Sequence, residues 1–225
     1  MGRIFIKTLM ICLSLSLICA SASYSKVYYL DGSLSSDITD GSYSVKNRDD
    51  TGADGDAYNS LSDFNSIVDP GDIVYIREGV YNNPTFNSST SGSNANRITF
   101  LNYNGEDVFF ERGYLIKLDE NYYTIEGITF RNKRPGQYRI EITGMHNHVK
   151  NCTFDGGGSD YGGIHISGKS ANNYEGHNKV ENCTFRNWGS VGTDDGTCAL
   201  ELGYGGTKCH HNQIIGCTFE TTSSY

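Results

Sequence analysis

Four triplets in this chain set one chemically active side chain between two apolar ones: Ile116-Lys117-Leu118, Ile140-Glu141-Ile142, Ile164-His165-Ile166 and Leu200-Glu201-Leu202. The middle residues are 24, 24 and 36 positions apart. Successive residues of an extended strand point to opposite faces, so each triplet reads as a half-buried strand with its middle side chain outward. Stacked in register at about 4.8 Å per strand, Lys117, Glu141, His165 and Glu201 would form one exposed row about 15 Å long. An imidazole, two carboxylates and an ammonium group along one line suit acid–base chemistry on a polar polymer. His165 and Glu201 are the candidates for moving a proton, and Lys117 or Lys169 for meeting an anionic group. Glu141, within the row, and Arg139 and Tyr161 beside it are candidate binding residues. The same pattern also arises from a ladder of alternating charge on a solvent-facing strand, with no chemistry at all.

Two longer connections carry further candidates. Ser167 to Asn178 holds Lys169, Tyr174, Glu175 and His177, and Arg186 to Thr197 holds Trp188, Asp194 and Asp195. Trp188 is the only tryptophan of the chain. It suits either an exposed sugar platform or a wedge packed beneath its loop. Asp194 and Asp195, with Glu201, are the expected ligands should calcium bind, because that ion takes several carboxylate and carbonyl oxygens. His210-His211 beside Cys209 comes nearest to a zinc pattern and lacks a convincing fourth ligand.

The elements that must position these residues repeat as well. Ile125-Glu126-Gly127-Ile128-Thr129-Phe130, Val149-Lys150-Asn151-Cys152-Thr153-Phe154, Val180-Glu181-Asn182-Cys183-Thr184-Phe185 and Ile214-Ile215-Gly216-Cys217-Thr218-Phe219 align without a gap, their phenylalanines 24, 31 and 34 residues apart. Units of this length bury their apolar faces only on one another. Each repeat holds at least two short strands and no room for a helix, which predicts an all-β chain, a parallel β-helix. Phe130, Phe154, Phe185 and Phe219 then form one internal stack, and Ile128, Cys152, Cys183 and Cys217 another. Asn151 and Asn182 are placed at a bend between strands as an internal asparagine row, with Gly127 and Gly216 at the equivalent positions.

These stacked rows resemble the right-handed parallel β-helix proteins of the pectate-lyase-like superfamily. Val27-Tyr28-Tyr29-Leu30-Asp31-Gly32, the Asp40-Gly41-Ser42 turn, the amphipathic stretch Leu61 to Val68 and the segment Pro70 to Tyr81 resemble the cap helix and first coil of its secreted polysaccharide lyases. The resemblance implies a cap and first coil over about 26–81 and repeated coils over about 98–219. It implies a polysaccharide partner and, as activity, β-elimination on a uronic-acid polymer. The alternative within the superfamily is a non-catalytic surface or adhesive module that binds glycan or serves as scaffold.

Residues 1–22 read as a signal peptide: Arg3 and Lys7, then an apolar core too short to span a bilayer, then Ala20-Ser21-Ala22. The remainder, 23–225, is expected to be one domain, secreted or at the cell surface. A net charge of −8 argues against nucleic acid and anionic membranes as partners. The later sequence holds no apolar stretch long enough for membrane insertion. Cys198 and Cys209 stand outside the repeated row and suit either a disulfide or free thiols. After the fourth repeat no capping element is evident, so the solenoid is expected to be truncated at the C-terminus, with further coils or domains of a longer protein beyond it.

Overall fold

The computed structural model describes residues 24–112, 116–132, 138–156, 162–168, 175–188, 199–203 and 209–220. These residues wind through three main parallel sheets, of eight, six and five strands, here called the first, second and third, with Glu175–Gly176 and Cys209–His210 forming a further two-stranded one. One coil runs Ile116–Leu118 on the third sheet, Tyr123–Glu126 on the first and Thr129–Arg131 on the second, then returns to the third at Ile140–Ile142. Three later strand sets repeat this order, and Ile73–Ile76, Gly79–Asn82 and Phe86–Asn87 begin it. Most backbone groups of the strands are satisfied by pairing between coils, so segments this short persist only as members of the stack.

The apolar rows are internal, as the repeats predict. Phe130, Phe154, Phe185 and Phe219 are register partners on the second sheet. Their ring centroids are 4.8, 4.9 and 4.9 Å apart, the spacing of paired strands. Phe110 and Tyr81 continue the column toward the N-terminus. Ile128, Cys152 and Cys183 are each 1% exposed, and Cys217 packs partly against the same core. In the last coil Leu202, Ile214, Ile215 and Phe219 are exposed.

The corner between the first and second sheets demands a left-handed backbone. Gly127, Asn151, Asn182 and Gly216 meet it with φ of 72°, 55°, 52° and 63°. Asn151 and Asn182 are nonetheless exposed, which corrects the expected internal row. The internal asparagines are Asn147, Asn178 and Asn212, at the preceding corner. Asn147 Oδ1 accepts the amide of Tyr123 (2.8 Å), Asn178 Oδ1 that of Asn147 (2.8 Å) and Asn212 Oδ1 that of Asn178 (2.9 Å). Asn147 and Asn178 also donate to the carbonyls of Glu120 and Gly144. Each side chain thus satisfies buried backbone groups that a sharp corner leaves unpaired.

The cap is a 3₁₀ helix, Leu61–Asn65, that buries Leu61 and Phe64. Asn65 Oδ1 accepts the amide of Asn87, and Phe64 meets Phe100 edge-on. Ahead of it, a polar knot holds the N-terminal segment. Asp31, fully buried, accepts from Arg48 (2.5 and 2.9 Å), Tyr43 (2.7 Å) and Ser33 (2.7 Å). Burial raises the Asp31 carboxyl, but the hydrogen bonds from Arg48, Tyr43 and Ser33 outweigh it and hold the group well below the carboxylate range. Such a group contributes stability that is present above its unfolded value and lost as pH falls through its folded value. Asp31→Asn is expected to cost about 1.5–3 kcal/mol at neutral pH. The difference from the parent should shrink in denaturation curves taken at pH 3 and below. Among the described residues, no helix is long and apolar enough to cross a membrane.

Candidate functional site

The four active residues of the triplets fall in register on the third sheet. Glu141 pairs with Lys117, His165 with Glu141 and Glu201 with His165. Their flanking isoleucines and leucines pair likewise, with Ile116, Leu118, Ile140, Ile142, Ile164 and Ile166 buried. Each of the first three strands is therefore anchored by two inward side chains, with its middle residue on the other face, as alternation requires.

Electrostatics link the row from end to end. Lys117 Nζ lies 3.7 Å from one Glu141 oxygen, and His165 Nδ1 lies 3.8 Å from the other. The Tyr138 ring stacks on His165 at 4.7 Å, and its hydroxyl donates to Glu201. Tyr138 is the residue that sequence reasoning missed. It stands just before the second triplet, in the connection from Thr129–Arg131, and reaches over two neighbouring coils.

His165 departs from expectation. It is 8% exposed, not open to solvent, because Tyr138 covers its ring. Its Nε2 is buried without a hydrogen-bond partner among the described residues. Burial lowers its pKa below the ordinary 6.5, and the Glu141 carboxylate only partly opposes this. This environment favours the neutral imidazole. A histidine buried neutral contributes stability present above its unfolded value and lost as pH falls through its folded value. His165→Gln is expected to flatten, though not abolish, the fall in stability below pH about 6.5. His148, lowered mainly by its own burial, keeps part of the slope. Denaturation midpoints across that range check this.

Arg139 is likewise not beside the row at the surface. It is 4% exposed, and its Nε and Nη2 have no hydrogen-bond partner among the described residues. Desolvation lowers it to about 10, with the carboxylates of Asp155 and Glu111 pulling the other way. In this conformation the guanidinium is covered rather than presented on the face of the sheet. What remains is a buried positive charge beneath the row's edge. Trp188 is half-buried and packs against the core, its indole set close over Gly156. Lys169, Tyr161, Asp194, Asp195 and Cys198 lie outside the described residues.

Among the described residues, the one convergence of three metal-capable side chains is His177, His210 and His211. Calcium takes oxygen ligands, so this group does not suit it. Glu201, expected to help hold calcium, accepts the Tyr138 hydroxyl.

By sequence, no curated protein matches the chain. Several solved structures share its winding. A rhamnogalacturonan lyase superposes with a TM-score of 0.57 at 15% identity, covering 88% of this chain and 54% of that one. The pectate lyase Pel9A gives 0.52 at 20% identity, with 86% and 48% covered. The PL6 family polysaccharide lyase Pedsa3628 from Pseudopedobacter saltans gives 0.52 at 17%, with 71% and 44% covered. The chain thus spans about half the length of these proteins, and at such identity the likeness establishes the fold. Residues 43–223 match the family described as "Pel9A-like, right handed beta helix region". The stacked phenylalanines, the three parallel sheets and this match together make the chain a member of the Pel9A-like right-handed β-helix family.

Proposed function

We propose that this chain belongs to an exported, carbohydrate-active protein, a polysaccharide lyase that cleaves a uronic-acid polymer by β-elimination. The observation that carries the reading is the register of Lys117, Glu141, His165 and Glu201 on one sheet, with Tyr138 joining the last two. The lyases among its structural neighbours support a polysaccharide as the substrate class. Elimination needs the uronate carboxylate neutralised, the proton at C5 removed and the leaving oxygen protonated. Lys117, 41% exposed at its side chain, is the accessible cation for the carboxylate. The Tyr138–Glu201 pair is the proton-transfer unit, a hydroxyl already bonded to its acceptor. His165, neutral and covered, orients the Tyr138 ring; it bears on the proton transfer only through that contact.

Incubation with pectate, alginate or a rhamnogalacturonan tests this directly. Elimination leaves a conjugated double bond, so a lyase produces a rise in ultraviolet absorbance. Calcium at Asp194 and Asp195 belongs to the same proposal: a chelator should lower the rate and added calcium restore it. A second reading, a glycan-binding scaffold, is favoured by the burial of His165 and the pairing within the row. Polymer binding without any new absorbance or reducing ends would establish it instead.

A further inference from the structure

A second column runs outside the barrel, at the corner that leads into the first sheet. Tyr122, His146, His177 and His211 occupy equivalent places in four successive coils, all in the left-handed region with φ of 63°, 58°, 59° and 57°. Their rings stack at 4.7, 5.0 and 4.7 Å. Left-handed backbone costs a non-glycine residue of order 1 kcal/mol or more, and the corner imposes it at each coil. Histidine is one of the residues enriched there, so the column alone needs no ligand to explain it.

Its lower end is different. His210 precedes His211 on the strand Cys209–His210, which pairs with Glu175–Gly176. Because the backbone turns sharply between them, the two rings stand perpendicular and their Nδ1 atoms come within 2.6 Å. His177, from the coil before, brings a third imidazole. One nitrogen from each ring lies within 4.8 Å of the others. Three nitrogens converging from two coils are more than stacking requires.

We propose that His177, His210 and His211 bind a transition-metal dication, of the zinc, copper or nickel class that imidazole favours. At a Zn–N length of about 2.0–2.1 Å, tetrahedral ligands stand about 3.3 Å apart. No pair here has to close by more than roughly 1.5 Å, while the Nδ1 atoms of His210 and His211, at 2.6 Å, must move apart by about 0.7 Å if both are ligands. The ion clasps two coils at one corner and keeps an open coordination position. His177 and His211 also line a groove of about 290 Å³ with Arg97, Tyr122, His146 and Lys179, which gives that position room. The two cations of the groove are held by other partners. Lys179 pairs with Glu181 at 2.8 Å, and Arg97 donates to Thr124 and to the carbonyls of Tyr123 and His146.

The test is calorimetric titration of the full chain, made without a polyhistidine tag, with zinc chloride and with nickel chloride. One ion per chain is expected. His177→Ala and His211→Ala should each weaken binding by more than about tenfold, the least that loss of even an outer-shell partner costs. His146→Ala, one coil away in the same column, should leave it unchanged. Absence of one-to-one binding, or equal affinity in the parent and His177→Ala, would overturn the site. A variant that misfolds leaves the question to the unmutated protein: paramagnetic resonance of bound Cu²⁺ counts its nitrogens, and fewer than three overturns it as well.

Discussion

Phe154→Ala is expected to destabilise the folded chain by about 3–5 kcal/mol, the cost of emptying a large buried aromatic site. Phe154 is fully buried. Its ring is stacked on Phe130 below at an interplanar angle of 1° and on Phe185 above at 9°. Truncation removes stacking on both faces at once. The gap cannot collapse, because strand pairing fixes the coils above and below at one spacing. Phe219→Ala removes the same group from the end of the same column. There the ring is 54% exposed and has one stacked neighbour in the described residues, so its loss should cost well under half as much. Denaturant midpoints for the two variants, with slopes compared to confirm a single transition, measure the contrast. Equal, small losses at both positions would mean that the column does not hold the coils together.

That column was legible in the sequence because every member has the same kind of neighbour: the residue one repeat away. The same logic gave the register of Lys117, Glu141, His165 and Glu201 and the buried row of Ile128, Cys152 and Cys183. It extends to features that went unread. His146, His177 and His211 are spaced by 31 and 34, as are Asn147, Asn178 and Asn212, the same steps that separate Phe154, Phe185 and Phe219. The asparagine ladder was assigned to the wrong corner because two corners carry asparagine four residues apart, as at Asn147 and Asn151. Which one points inward depends on how the corner bends, and spacing alone does not say. The burial of His165 was illegible for another reason. It is set by Tyr138; Tyr114 stands in the same place before the first triplet, 24 residues earlier, but that spacing does not say which coil the ring lies over. The repeat thus specifies the scaffold, while the departures from it decide which polar groups of the row face water.

Those departures lead to the prediction with the greatest consequence for activity. If the chain supports elimination, Glu201→Gln should lower turnover by about 10²–10⁴-fold, the range that a positioned proton-transfer group supplies. The amide keeps the shape of the carboxylate and can still meet the Tyr138 hydroxyl, but it cannot take up a proton. Tyr138→Phe removes the hydroxyl and keeps the ring that covers His165, so it should reproduce most of the loss without exposing the imidazole. Combining the two should cost little more than either alone, because groups that act as one unit are not additive. Lys117→Met should behave differently. It deletes the cation opposite Glu141 and leaves the proton-transfer pair intact, so the loss should fall mainly on KM for a polymer carrying free carboxylates and vanish on a methyl-esterified one. Initial rates on both polymers, read from ultraviolet absorbance, separate the two roles. Full turnover in Glu201→Gln, in a preparation whose parent is active, would move the chemistry off this sheet and leave the row as a charge ladder that only holds the strands in register.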